Sequence, residues 1–288
     1  MSYLDHIQRC HHYLPEQFLP FYIDGHCFGL THKTHITHLL NWPTVFDADA
    51  KGVYLNPELN TPEARTQAIA PIMWTLHQQG VIDSWVGERY SVSQVFQGPS
   101  MMLIERAAVA FLGVRGYGIH VNGLVQKSDG IYVWVGVRSK SKPFWPGMLD
   151  QVVAGGQPEG ISPMQNLIKE AAEEAAIPKA IAETATAQGE LYYCTATSRG
   201  IHNDGIFVYD LWLDENFTPY NTDGEVESFQ LMPVQEMARI VENSNQFKEN
   251  CNLVNIDLLL RLGMIDETHP DYEAIKQTLY SSPLALNN

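Results

Sequence analysis

Apolar and polar positions alternate with a period of two at 119–122, and runs rich in apolar and aromatic residues at 118–125, 130–137, 189–196 and 205–213 each read as a β-strand. A different period rules the segment after Ser162. Met164, Leu167, Ile168, Ala171 and Ala175 recur at spacings of three and four, which makes one apolar face of a helix. Ser162 is a good N-cap, Pro163 suits the first helical position, Gln165 closes a capping box, and Pro178 marks the end. A last helical pattern covers 234–262. A meander of strands, one helix, further strands and a final helix predict an α/β/α sandwich around a mixed sheet.

The chain divides near residues 112–117. Residues 1–112 read as a small α+β N-terminal domain and 113–288 as the main domain. In the first part, 21–30 alternates like a strand crossing a turn at Asp24 and Gly25, and 52–56 is a short strand. Thr61 and Pro62 open a helix that stops at Gly80, with Pro71 expected to kink or split it. Residues 101–111 read as an apolar helix joining the halves. From its position alone, this module is expected to cover one side of the active site, shape selectivity and pair subunits as a homodimer.

The chemistry is concentrated where Gly155 and Gly156 make a turn after a short apolar segment and feed the helix that carries Glu170, Glu173 and Glu174. Residues at i, i+3 and i+4 share one helical face. Three carboxylates crowded there repel one another unless a cation sits among them, and a hard divalent ion with oxygen ligands suits the set. The glycine loop lets backbone approach phosphate oxygens closely. The pattern reads as a metal–diphosphate site.

This stretch resembles the Nudix box. Gly155 matches its leading glycine, and Glu170, Glu173 and Glu174 match its three core glutamates, while Lys169, Ile161 and Ala176 replace its usual Arg, early Glu and late Gly. The runs around Arg138, Trp145, Asp150, His120, Asn122, Asp210, Glu225 and 247–257 are similar to one branch of that family. It has an N-terminal extension and is similar to the Nudix part of fungal thiamine pyrophosphokinase fusions. The resemblance implies a Nudix-type sandwich fold and Mg²⁺-dependent hydrolysis (with Mn²⁺ as an alternative) of thiamine diphosphate or its oxidised analogues to the monophosphate. Glu170, Glu173 and Glu174, with the Gly155 carbonyl, would hold the metal. Glu225, with Glu227 as second choice, is the expected general base. Arg138, Lys140 and Lys142 are candidates for the diphosphate, Trp145 for ring stacking, and His120 and Asn122 for polar contacts. ADP-ribose, NADH or nucleotide hydrolysis, or a catalytically weak diphosphate sensor, are the rival readings.

Charge and cysteine usage narrow the partners. The 288 residues carry 33 acids against 18 bases, a net charge of −15, which argues against nucleic acid or an anionic membrane as partner. An anionic substrate therefore needs locally placed cations. No apolar run reaches the length of a membrane span and no basic-then-apolar leader pattern opens the sequence, so a cytoplasmic location is expected. Cys10, Cys27, Cys194 and Cys251 are scattered, as for packing in a reducing compartment. His32, His35 and His38 have a three-residue period but lack further ligands, and read as surface and capping residues.

Overall fold

The computed structural model describes residues 1–142, 144–282 and 284. Helix α1 (Tyr3–Cys10) is followed by the hairpin β1 (Phe18–Ile23) and β2 (His26–His32), then α2 (Lys33–Leu39), β3 (Phe46–Ala48), β4 (Val53–Leu55) and α3 (Pro62–Gln78). A second small hairpin, β5 (Arg89–Val92) and β6 (Met102–Glu105), leads through a 3₁₀ turn to α4 (Val109–Leu112). The larger body contains β7 (Arg115–Lys127), β8 (Gly130–Arg138), β9 (Leu149–Gln151), β10 (Val153–Gly156), α5 (Pro163–Ala175) and α6 (Lys179–Ala182). It continues with β11 (Thr186–Thr197), β12 (Gly200–Trp212), β13 (Val226–Pro233), α7 (Val234–Asn243), α8 (Glu249–Arg261) and α9 (Tyr272–Leu279).

The large sheet has the order β11-β12-β7-β8-β13, with β10 added to β7 and β9 to β8. Strands β12 and β7 run parallel, and the other pairings are antiparallel, so the sheet is mixed. Along β7 successive residues serve opposite faces. Ile119, Val121 and Val125 pack with Leu167, Ala171 and Ala175 of α5, whereas Leu124 packs under α7 and α8. Helices therefore cover both faces, and the α/β/α sandwich is the observed fold. Helix α1 also belongs to this body: Tyr3, Ile7 and Cys10 join the core beneath α8 and α9. The rest of the N-terminal segment has its own core around Phe21, Phe46, Met73 and Met102, and α4 docks it onto β12 and β7.

Three local expectations change. Helix α3 continues through Pro71 without splitting, because Ile69, Ile72, Met73 and Leu76 anchor one face while the proline ring faces solvent. The apolar run at 101–111 is a strand, a 3₁₀ turn and a single helical turn. Met102 and Ile104 point into the core from β6, whose backbone pairs with β5. The expected helix over 234–262 is broken between α7 and α8, because Phe247 bridges Leu149: the Leu149 N–H donates to the Gln246 carbonyl and the Lys248 N–H to the Leu149 carbonyl, each at 2.9 Å. The end of the sequence at 284–288 predicts weak order, and residues 285–288 lie outside the described residues.

Helix α5 has its predicted start, with Ser162 and Gln165 exchanging both capping-box bonds. Its end is under strain. Ala176 caps it at φ 52°, a left-handed conformation that costs a residue with a Cβ on the order of 1 kcal/mol. Ala176→Gly should therefore raise stability by about 0.5–1 kcal/mol, read as a higher melting temperature in calorimetry. A lower one would show that this cap is unstrained.

Candidate active site

The box carboxylates meet the sheet at β10. Glu174 is buried at 6% exposure, and one of its oxygens accepts the Ala154 N–H at 2.9 Å. Glu170 lies flat against Gly155, where an added Cβ would stand 2.6 Å from its carboxyl carbon. Only a glycine lets this carboxylate approach the strand. Burial pushes both carboxyls above their ordinary values, and for Glu174 the neighbouring Glu170, Asp150 and Glu225 add to the effect. Glu173 is half exposed at the outer edge of the group. Lys169 pairs with this face, reaching Glu170 at 3.0 Å, Glu173 at 3.7 Å and Glu88 of the N-terminal segment at 3.9 Å. Oxygen donors held partly dry and short of positive charge fit a hard divalent ion. A Cβ on Gly118 would sit 2.9 Å from the Gly155 carbonyl oxygen, so glycine on the neighbouring strand leaves that oxygen room.

Beside this face opens a cleft of about 340 Å³, walled by Gly155 and Gly156, by the 138–145 loop, by the start of α8 and by the N-terminal segment. Of the residues singled out from sequence, His120, Arg138, Lys142, Trp145 and Glu225 line it. Glu225 is paired with Lys142, directly before β13. Trp145 and Phe144 present their rings under cations, with the Lys248 ammonium 5.6 Å from the Trp145 centroid and the Arg199 guanidinium 4.7 Å from that of Phe144.

Others have different work. The Arg138 guanidinium donates to the Trp145 and Phe144 carbonyls and to Asp150, so it shapes the loop and has little left for a phosphate. Lys140 is largely exposed and pairs with Glu227 outside the cleft. Asn122 is buried in the sheet and donates to Asp210 at 2.9 Å, an acid that Arg261 neutralises.

Several cleft residues are not singled out by the sequence. Arg106, Arg199 and Lys248 bring positive charge from three distant segments. Asp204 is a carboxylate at the cleft wall whose Oδ2 accepts from the Tyr193 hydroxyl at 2.8 Å and sits 3.2 Å from His202 Nδ1. Burial alone would raise its pKa, but the contacts with His202 and Tyr193 more than offset this and hold it ionised. His120, Asp150 and Cys251 place ligand atoms within 4.8 Å of one another and form a second group able to hold a metal. There, however, the protein supplies the cations itself. Arg138 lies 2.8 Å and Lys248 3.7 Å from Asp150, and together with His120 they hold it well below the carboxylate range despite burial. Cys251 keeps its proton and donates to Asp150. The histidine run behaves as expected: His32 caps α2, and His35 stacks on Phe111.

Residues 2–116 match a family described as a domain of unknown function, DUF4743. The chain is 40% identical over 275 residues to Nudix hydrolase 24, chloroplastic, of Arabidopsis thaliana, covering 94% of this chain and 75% of that protein. It is 39% identical over 289 residues to Nudix hydrolase 20, chloroplastic, of the same plant, covering 96% and 77%. A crystal structure from Deinococcus radiodurans aligns with 59% of this chain and 98% of its own, at 21% identity and a TM-score of 0.44. Fold and site define a diphosphatase of the kind that works with divalent metal. The chain belongs to the Nudix hydrolase family.

Two outcomes follow from this geometry. Gly155→Ala should displace the Glu170 carboxylate and raise the divalent-metal concentration needed for half-maximal activity by about ten- to a hundredfold; an unchanged metal requirement would show that Glu170 does not depend on this contact. The buried His120 is pushed down to about 4 by desolvation and by Lys248. An unfolded histidine protonates near 6.5, so between these values the unfolded chain binds more protons. The stability His120 contributes is whole above pH 6.5 and is lost as pH falls toward 4. His120→Gln should therefore lose less of its urea midpoint than wild type between about pH 7.5 and 5. Parallel losses would refute the assignment.

Proposed function

We propose that this enzyme hydrolyses thiamine diphosphate, or its oxidised analogues, to the monophosphate with Mg²⁺ as the working ion. The carrying observation is that the cleft holds both cations and an ionised carboxylate. Arg106, Lys142 and Lys248 line it with the double glycine, whereas the ionised Asp204 lies two strands away, across β7. Neighbouring strands are about 4.8 Å apart, which puts this carboxylate roughly 10–12 Å from Gly156. A diphosphate at one end and a cationic, amine-bearing ring at the other match that polarity and length. Phe144 and Trp145 line the same cleft and offer aromatic surface to the organic group.

Glu170, Glu173 and Glu174, with the Gly155 carbonyl, would hold the metal. Bound there, it would neutralise phosphate charge and lower the pKa of coordinated water. Glu225 faces the same cleft and accepts the proton of the attacking water. Water oxygen bonds to phosphorus as the bridging P–O bond breaks, and the products are a monophosphate ester and inorganic phosphate. Lys142 stays beside Glu225 and limits charge build-up at that end. Phe144 and Trp145, fixed through their carbonyls by Arg138, keep the organic group from swinging out of line.

The test is a Mg²⁺-dependent hydrolysis panel with Glu174→Gln run beside wild type. It includes thiamine, oxothiamine and oxythiamine diphosphates, ADP-ribose, NADH and nucleoside triphosphates. Monophosphate is expected from the thiamine group, falling by more than about a hundredfold in the variant. Turnover of ADP-ribose or NADH alone would keep the chemistry and discard the thiamine reading.

A further inference from the structure

The region matched as a domain of unknown function reaches into this cleft. Among the residues it contributes is Arg106, at the start of the 3₁₀ turn after β6. The following Ala107 and Ala108 are buried, which fixes the backbone at that point. The Arg106 N–H donates to the Glu88 carbonyl at 2.9 Å, and one guanidinium N–H donates to the Glu88 carboxylate at 3.0 Å. The guanidinium then lies over the second glycine of the turn. A Cβ on Gly156 would stand 3.0 Å from Arg106 Cζ, 3.2 Å from its Nε and 1.9 Å from the Tyr90 hydroxyl. The next residue toward the N-terminus, Gly155, is the one that faces Glu170.

An arginine has five N–H donors in a planar fork. Among the described residues Arg106 spends one of them on a side chain, and its side chain remains 42% exposed toward the cleft. By contrast Arg138 is consumed by its loop, and Lys142 is paired with Glu225. Arg106 is thus the guanidinium at the metal face with donors to offer. We propose that Arg106 binds the substrate's diphosphate directly, so that the N-terminal segment completes the active site. The proposal rests on reading the double-glycine turn as the diphosphate site. It is independent of which organic group the diphosphate carries.

The bland alternative is that Arg106 is a strut, holding Glu88 in place beside Lys169. The two roles predict opposite effects at Glu88. If Arg106 binds phosphate, Glu88 competes for it, and removing that carboxylate leaves diphosphate binding unchanged or tighter. If Arg106 is a strut, removing either partner weakens binding alike.

The experiment uses the full chain, saturating Mg²⁺ and methylenediphosphonate, a diphosphate analogue that cannot be hydrolysed and has no organic group. Its inhibition constant should rise about ten- to a hundredfold in Arg106→Gln, the loss expected when hydrogen bonds between charged groups are removed. With hydrolysable substrate, KM should rise while kcat changes little. Glu88→Gln should show an equal or lower inhibition constant. An unchanged constant in a folded Arg106→Gln overturns the proposal, as does a rise in Glu88→Gln matching that of Arg106→Gln. Should Arg106→Gln fail to fold, Arg106→Lys keeps the charge but loses the fork, and a constant raised about threefold or more is then required. Wild type that ignores the analogue overturns both the proposal and the diphosphate reading of the turn. Failure of thiamine compounds alone in the substrate panel touches neither.

Discussion

The close approach of two carboxylates to a glycine strand governs this structure. Glu170 and Glu174 lie against β10, one over Gly155 and the other on the Ala154 N–H, in a place that pushes both toward the protonated state. Carboxylates are held half-dry and mutually repelling only when something positive completes the set. Lys169, shared among three acids, is too little. The capping box at Ser162, the buried stripe of α5 and the missing side chain at Gly155 all serve to hold this unfavourable arrangement, which in the proposed mechanism receives a divalent ion and a diphosphate.

The rest of the cleft resolves a second electrostatic difficulty. A chain with net charge −15 repels an anion at long range, so attraction has to be built locally. Arg106, Lys142, Arg199 and Lys248 come from four separate segments and converge there. Each is held by a protein acid, Arg106 by Glu88, Lys142 by Glu225, Arg199 by Asp83 and Lys248 by Asp150, so the positive charge is fixed in place where the segments meet. Lys248 owes its position to the strand-like bridge that interrupts α7 and α8. The break in that helix is therefore part of the site.

What could be read in the sequence was local. Periodicity and capping residues gave α5, the four long strands and the box glutamates, since each depends on neighbours a few positions away. The hairpin at Asp24 and Gly25 was visible for the same reason. Strand β13 was not, because it is an edge strand with only Met232 buried and so shows no clear alternation. Asn122 shares the face of His120 by alternation, but its cross-strand partner Asp210 turns it into a core contact. Arg138 counted as positive charge until its partners, Asp150 and two loop carbonyls, were in place. Arg106, Arg199 and Asp204 carry no motif, and Lys248 stands in the 247–257 run without a role assigned to it there. Only the packing of the N-terminal segment and the sheet order bring them together.

The central claim is that Glu170, Glu173 and Glu174 form a metal site. It is tested most directly by titrating Mn²⁺ into wild type, Glu170→Gln and Glu174→Gln and following free ion by electron paramagnetic resonance, with methylenediphosphonate present. Saturable binding in wild type, weakened by more than about tenfold in each variant, is the predicted result. Equal binding in all three proteins would place the metal elsewhere and contradict the account.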